Sequence, residues 1–362
     1  MAFSLKKVFG SLQSKAAPIT SAVGIDIGRS SIKVVELEQS EQAPILKTYG
    51  EIQVGPYAEQ PVGASVEPDN DILKKSIVDV LRESGVGASN GVLSLPLSTG
   101  FVTVVTITVR DEDELASRIP VEARKYIPLS LQEITLDWAP VGEPQKNEND
   151  ELVVSVLLVA LQNESVLSYK TLLEHVELAN QPMELGMFST ARAIGAFAHP
   201  AVAVIDLGAA VSKLYVYQQG TVSAIHRFSA GGTNITHKLA ELLSLDFAAA
   251  EELKRSIASE DQHVADVKKV TSAVLESSLH EARRVLQKFE ASHGTAIGTV
   301  YLAGGVSNTF AIENYVADVL QRPVTRAFPF EQVGYPAFME DVLRQIGPVF
   351  TNSLGAALRL LQ

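Results

Sequence analysis

Two short stretches of the 362-residue chain set an aspartate, a glycine turn and a lysine at the same intervals. The first, GIDIGRSSIKVVEL, carries Asp26, Gly28, Arg29, Ser30, Ser31 and Lys33. The second, VAVIDLGAAVSKLYV, carries Asp206, Gly208, Ala209, Ala210, Ser212 and Lys213, and its aspartate follows the first by 180 residues. Each reads as an apolar strand, a tight turn and a second strand. Such a turn can aim backbone N–H groups and hydroxyls at phosphate oxygens, and glycine lets a ligand approach closely. Aspartates at the strand ends are hard oxygen ligands, suited to Mg²⁺ held through water. One hairpin of this kind is more often a mere structural turn. A copy in each half of the chain favours phosphate binding within a duplicated α/β fold, in a cleft between the halves.

Three further stretches could complete a nucleotide site. LAGGVSN contains Gly304, Gly305, Val306 and Ser307, where glycine backbone lets a flat adenine or ribose lie close and an opening helix favours anions. Read alone, it is equally a helix entry. In AEELK, Glu251 and Lys254 share a helical face, which fits either a surface ion pair or contact with ribose and purine. Gly231 and Gly232 feed a helix from about Thr233 and join the phosphate-binding candidates.

The elements around these residues alternate between strand and helix. Residues 46–54 read as a strand, and 55–70 as a Pro/Gly-rich loop. Leu73, Ile77, Val80 and Leu81 form the apolar face of a helix that Gly85 stops. A strand–helix–strand–strand–helix module over 100–181 has the size of an inserted small domain. The boundaries expected are an N-terminal extension at 1–22, a first lobe at 23–99, the insert at 100–181 and a hinge at 182–200. A second lobe follows at 201–362, with a last helix at 348–361 returning to the first lobe.

Bulk composition excludes several function classes. A formal net charge of −12 argues against binding nucleic acid, which needs clustered Lys and Arg. Zero cysteines exclude disulfides and thiolate metal sites. The longest apolar run, LVVSVLLVAL, is about half the length a membrane-spanning helix needs, so it reads as a buried strand. No secretory signal is expected at the N-terminus. That end, MAFSLKKVFGSLQSK, is basic through Lys6, Lys7 and Lys15. It fits either a weak amphipathic segment for a membrane surface or partner, or a frayed extension weakened by Gly10.

Taken together, the motifs resemble the actin/Hsp70/sugar-kinase ATPase superfamily. Asp26-x-Gly28 corresponds to its first phosphate motif, Asp206-x-Gly208 to its second, and Gly304-Gly305 to its adenosine motif. Two hinge-like segments, ELGMFSTARAIGAF and FTNSLGAALR, also match. From Val23 onward the chain resembles the type IV pilus assembly protein PilM family in GIDIG-x-SSIKVVEL, in the insert ending VLLVAL-x-x-E-x-V-x-x-Y, and in AGGVSN…RPV. The resemblance implies an actin-like, ribonuclease H-like two-lobe fold with ATP and Mg²⁺ between the lobes. It also implies an SHS2-like insert shared with the cell-division protein FtsA.

The resemblance implies an adaptor at the inner face of the cytoplasmic membrane. It would grip the N-terminal cytoplasmic tail of a PilN-like inner-membrane protein in a groove between the first subdomain and the insert. Pilus motor components are further implied partners, and membrane association would be peripheral. The sequence departs from the family at four points. Arg29 replaces a small residue and either adds a cation or crowds the site. Ser212 replaces a threonine and keeps the hydroxyl. Pro120 predicts a kink or break near Ile119. TVRDEDEL lacks a proline that usually follows its strand.

Two other classes remain open. An FtsA-like filament protein would carry a membrane-binding helix after the last lobe, where only seven residues follow Gly355. A sugar-kinase-type phosphotransferase would need a carboxylate base. Asp137 and Glu184 are available acids outside any recognisable kinase signature, and no residue stands out for positioning an attacking water. A type II secretion system is an alternative setting to the pilus.

Overall fold

The computed structural model describes residues 19–174, 176, 178 and 182–362. The basic stretch holding Lys6, Lys7 and Lys15 lies outside the described residues. Among the described residues, no helix is long and apolar enough to cross a membrane.

The first sheet begins with β1 (Ser21–Ile27), β2 (Ser31–Glu38) and β3 (Ile45–Gln53), an antiparallel meander rich in β-branched residues. Helix α1 (Asn70–Glu83) follows, capped by Asp69, which accepts from the Ile72 N–H at 2.9 Å. It buries Leu73, Ile77 and Val80, the face its spacing predicts. Strand β4 (Gly91–Leu95) then pairs parallel with β1.

The insert contains β5 (Gly100–Val109), α2 (Glu112–Ala123), β6 (Ile134–Lys146), β7 (Leu152–Gln162) and α3 (Asn163–Leu173). Strand β7 lies between β5 and β6 in a separate antiparallel sheet. Its continuous apolar run is buried on both faces, with alternate residues entering different cores. Val154, Val156, Leu158 and Ala160 join Leu115 and Ile119 of α2 in one core. Leu157, Val159 and Leu161 join the larger core that also contains residues of both five-stranded sheets.

Of the kink or break expected near Ile119, the break does not occur. Helix α2 runs through Pro120 and ends three residues later. Proline cannot donate to the Ala116 carbonyl, but Ala116 and Pro120 are both exposed, so water can satisfy that oxygen.

After the insert come β8 (Met183–Leu185), α4 (Gly186–Ala193), then β9 (Ala201–Leu207), β10 (Ser212–Gln218) and β11 (Thr221–Phe228). Helices α5 (Gly232–Leu243), α6 (Phe247–Ser256) and α7 (Val264–His293) cover this half, followed by β12 (Val300–Ala303), α8 (Ile312–Leu320) and β13 (Val324–Arg326). The sheet orders are β3-β2-β1-β4-β8 and β11-β10-β9-β12-β13. In both, the strand ending in Asp-x-Gly is central, antiparallel to the next strand and parallel to a later one. The sequence duplication is therefore a duplication of topology.

The chain closes with α9 (Glu340–Ile346) and α10 (Thr351–Leu358), the latter preceded by a 3-10 turn over Gly347–Phe350. The last α-helix is thus shorter than the single 348–361 helix expected. It packs on β1, β2, β4 and α4. A side chain at Gly355 would place its first carbon 1.9 Å from the Ser189 carbonyl oxygen, so glycine sets how closely α10 approaches α4.

Candidate functional site

The two hairpins meet at one cavity of about 690 Å³, within the range typical of small-molecule sites. Strand register explains how. Asp26 on β1 is paired with Lys33 on β2, and Asp206 on β9 with Lys213 on β10. All four side chains line the cavity. The turns share their geometry as well. A Cβ on Gly28 would lie 2.8 Å from the Ser31 carbonyl oxygen, and one on Gly208 would lie 2.8 Å from that of Val211.

The electrostatics of the two halves differ. Lys213 Nζ is 2.9 Å from Asp206 Oδ2. Burial alone would lower the Lys213 pKa, but Asp206 and Asp26 outweigh it and raise the value above that of an ordinary lysine. Asp26 accepts instead from Asn352 Nδ2 on α10 at 3.3 Å, while the Thr190 hydroxyl on α4 donates to Asn352 Oδ1 at 2.7 Å. Burial pushes the Asp26 carboxyl above the ordinary aspartate value, against the pull of Lys33 and Lys213.

Most of the expected phosphate-contacting residues line this cavity. Arg29, Ser30, Ser31, Ala209, Ala210 and Gly232 join the aspartates, lysines and turn glycines on its wall. Ser212 and Gly231 do not. The Ser212 hydroxyl is buried and donates to the Ala230 carbonyl at 2.7 Å, so it braces the turn from behind. Gly231 packs against the Ala209 backbone. Arg29 lies on the wall with its guanidinium 2.5 Å from Glu67.

On the opposite side, Glu251, Lys254, Gly304, Gly305 and Val306 also line the cavity. Glu251 and Lys254 are no surface pair, since both are buried at 2.5 Å separation. Glu251 Oε2 also accepts from the Thr236 hydroxyl. Burial lowers the Lys254 pKa, with Glu251 opposing that shift. Gly304 has φ +83°, and a Cβ there would meet the Leu207 carbonyl oxygen at 2.5 Å and Asp206 Oδ1 at 2.6 Å, so a side chain is excluded. Open space lies where a Gly305 side chain would stand.

The helix entry expected after these glycines is corrected. Gly305–Asn308 is one 3-10 turn, and α8 starts only at Ile312, so no α-helix opens directly from these glycines. Ser307 lies outside the cavity wall, and its hydroxyl donates to the Gly304 carbonyl.

Sequence reasoning missed Thr233 and Asn352. Thr233 Oγ1 is buried, lacks a protein partner and belongs to a residue on the cavity wall, which leaves a hydrogen-bonding capacity that a phosphate oxygen would satisfy. The only signal was its place after Gly231-Gly232. Asn352 lay within the hinge-like FTNSLGAALR, but its bond to Asp26 depends on how α10 folds back.

The residues fit a nucleotide with Mg²⁺. The wall offers glycine turns, lysines and two carboxylates. Among the described residues there is no cluster of three or more His, Asp or Glu that could enclose a metal alone. Two carboxylates suit an ion that keeps waters and takes phosphate oxygens as further ligands.

The acids considered for a kinase do not supply a base here. Glu184 is buried, held by Arg192 through two contacts of 2.9 Å and by Arg359 at 3.1 Å. Asp137 is buried in β6 and lies off the cavity wall.

Two sheets of one topology, each presenting an Asp-x-Gly hairpin to a shared cleft, make this an actin-like two-lobed protein. Solved structures agree. The chain superposes on the ethanolamine utilization protein EutJ from Carboxydothermus hydrogenoformans with TM-score 0.57 at 16% identity, covering 94% of this chain and 90% of that one. MreB5 of Spiroplasma citri bound to AMPPNP gives 0.52 at 9% identity, covering 92% and 94%. The chain belongs to the family of the type IV pilus assembly protein PilM, whose profile matches residues 24–361. A structure described as the PilM-PilN type IV pilus biogenesis complex matches with TM-score 0.77 at 25% identity, covering 94% of this chain and 98% of that one. The cell division protein FtsA of Bacillus subtilis is 22% identical over 377 residues, covering 88% of this chain and 81% of FtsA.

Proposed function

We propose that this protein is an ATP-binding adaptor of type IV pilus assembly, working at the inner face of the cytoplasmic membrane. It grips the N-terminal cytoplasmic tail of a PilN-like protein and passes that connection to the pilus motor. The observation that carries the nucleotide half is the convergence of the two Asp–Gly–Lys hairpins on one cavity. Family membership and the fold shared with the PilM-PilN complex support the partner half.

In this reading the turn N–H groups, Ser30, Ser31, Lys33 and Lys213 take the phosphates. Asp26 and Asp206 face Mg²⁺ through water, and the buried Glu251–Lys254 pair borders the nucleoside. Bound Mg²⁺ supplies charge neutralisation between the carboxylates and the phosphates. Because the two halves of the wall belong to different lobes, a ligand touching both favours the closed arrangement by its differential affinity. ATP acts as a structural ligand, and no side chain is assigned to activate water.

Thermal unfolding with and without ATP–Mg²⁺ tests the nucleotide half, and an absent shift in the wild type would refute it. Capture of the chain by short N-terminal tails of inner-membrane pilus proteins tests the partner half. The likeness to FtsA favours a second reading, a nucleotide-dependent filament. Sedimentation separates them, since polymers that pellet only with ATP would replace the simple adaptor.

A further inference from the structure

The segment 54–68 runs from the end of the strand expected at 46–54 through most of the Pro/Gly-rich loop expected at 55–70, between β3 and α1. It is tied to the first phosphate turn at both ends. The Val54 N–H donates to the Ser30 carbonyl at 2.8 Å, and the Val66 N–H to the Arg29 carbonyl at 3.0 Å. The Arg29 guanidinium also meets Glu67. That ion pair is exposed and adds little energy by itself, but it holds Arg29 on the segment.

Gly63, midway along, reaches the other lobe. It is buried, its N–H donates to Gln53 Oε1 at 3.2 Å, and its φ is +82°. A Cβ there would stand 2.4 Å from Glu251 Cδ and 2.6 Å from Oε1. The Gly63 backbone therefore rests on the Glu251 carboxylate, which Thr236 and Lys254 hold from behind at 2.5 Å each. Gly63 and Glu67 line the same cavity as Glu251, Lys254 and Gly305.

We propose that residues 54–68 are a strap that closes over bound nucleotide, with Gly63 as its seat on Glu251. This rests on the nucleotide reading above and adds to it a gate for release. The strap joins the phosphate turn of one lobe to the nucleoside side of the other, so its seating depends on lobe closure. Glycine is required at the seat because any side chain meets the held carboxylate. Arg29 is an anchor of the strap, which gives a role to a residue unusual for its position.

Release of mant-ATP from the Mg²⁺-loaded full chain, chased with unlabelled ATP in a stopped-flow instrument, tests this. Gly63→Leu is expected to speed release by at least about tenfold, with association little changed, while the circular dichroism stays that of the wild type. Unchanged release from a folded variant overturns the strap and leaves the nucleotide reading standing. A wild type that takes up no mant-ATP overturns both. A second measurement covers a variant that fails to fold. The chain has no cysteine, so Val62→Cys with Glu252→Cys accepts a donor–acceptor dye pair at those positions alone. On single molecules, ATP–Mg²⁺ is expected to lengthen the dwell in the seated, high-transfer state, and dwell times unchanged by ATP–Mg²⁺ overturn the proposal.

Discussion

Lys213 Nζ lies 2.9 Å from Asp206, whereas Lys33, its counterpart in the first hairpin, has Glu51 as its nearest carboxylate at 3.9 Å. The duplicated turns therefore pair their charges differently. Asp206 has its ion-pair partner within its own hairpin, while Asp26 takes a hydrogen bond from Asn352 of the last helix.

Asp206→Ala should expose this asymmetry. It strands the buried Lys213 ammonium and should cost about 3 kcal/mol of stability, read as a lower urea midpoint. It should also abolish the ATP–Mg²⁺ thermal shift. An undiminished shift would remove Asp206 from the site.

Gly355→Ala tests the crossing of α10 and α4. Its methyl group would sit 1.9 Å from the Ser189 carbonyl oxygen and 3.1 Å from Ala193 Cβ, and relieving that clash by helix movement should cost about 3 kcal/mol. Because Asn352 lies on the same helix, ATP-induced stabilisation should weaken too. A variant with the wild-type midpoint and the full ATP shift would show that the crossing tolerates a side chain.

Pro120→Ala should do the opposite. Host helices favour alanine over proline by about 3 kcal/mol in their interior, and the more flexible unfolded chain of the variant takes back about 1 kcal/mol. A net gain of about 2 kcal/mol in urea unfolding is expected, because the restored N–H can reach the Ala116 carbonyl. A loss would mean that the exposed ring makes a contact of its own.

The parts of the site legible in sequence were those encoded locally. Asp26 to Lys33 and Asp206 to Lys213 lie within single hairpins, so spacing alone put acid and base side by side. The β7 run was equally readable, because an unbroken apolar stretch too short to span a membrane marks a strand buried on both faces. Asn352 and Gly63 were not legible. Asn352 reaches Asp26 across 326 positions of sequence, and Gly63 meets Glu251 only through the way the chain folds. Pro120 marks a different limit: a local rule allowed a kink or a break, and the helix runs on unbroken because the orphaned carbonyl belongs to an exposed residue and one further turn at most remains. Ser212 illustrates a third case, a residue of the right type whose side chain serves the fold.

Glu184 offers a prediction about acid sensitivity. Burial would raise its pKa, but Arg192 and Arg359 outweigh that and hold it below the ordinary glutamate value of 4.5. A carboxylate depressed in the folded state contributes stability that is complete above its unfolded pKa and is lost as pH falls through the folded one. Wild-type stability should therefore drop steeply below about pH 4.5, the unfolded value. Glu184→Gln should flatten that acid limb. At neutral pH it should also cost about 3 kcal/mol, since two guanidinium groups lose their shared anion. Asp26 works in the other direction, because its raised pKa favours the folded state as pH falls, and that gain should persist in the variant. Urea midpoints measured across the acid range for both proteins decide the matter. Parallel pH profiles would show that the Glu184 cluster does not set the acid limit.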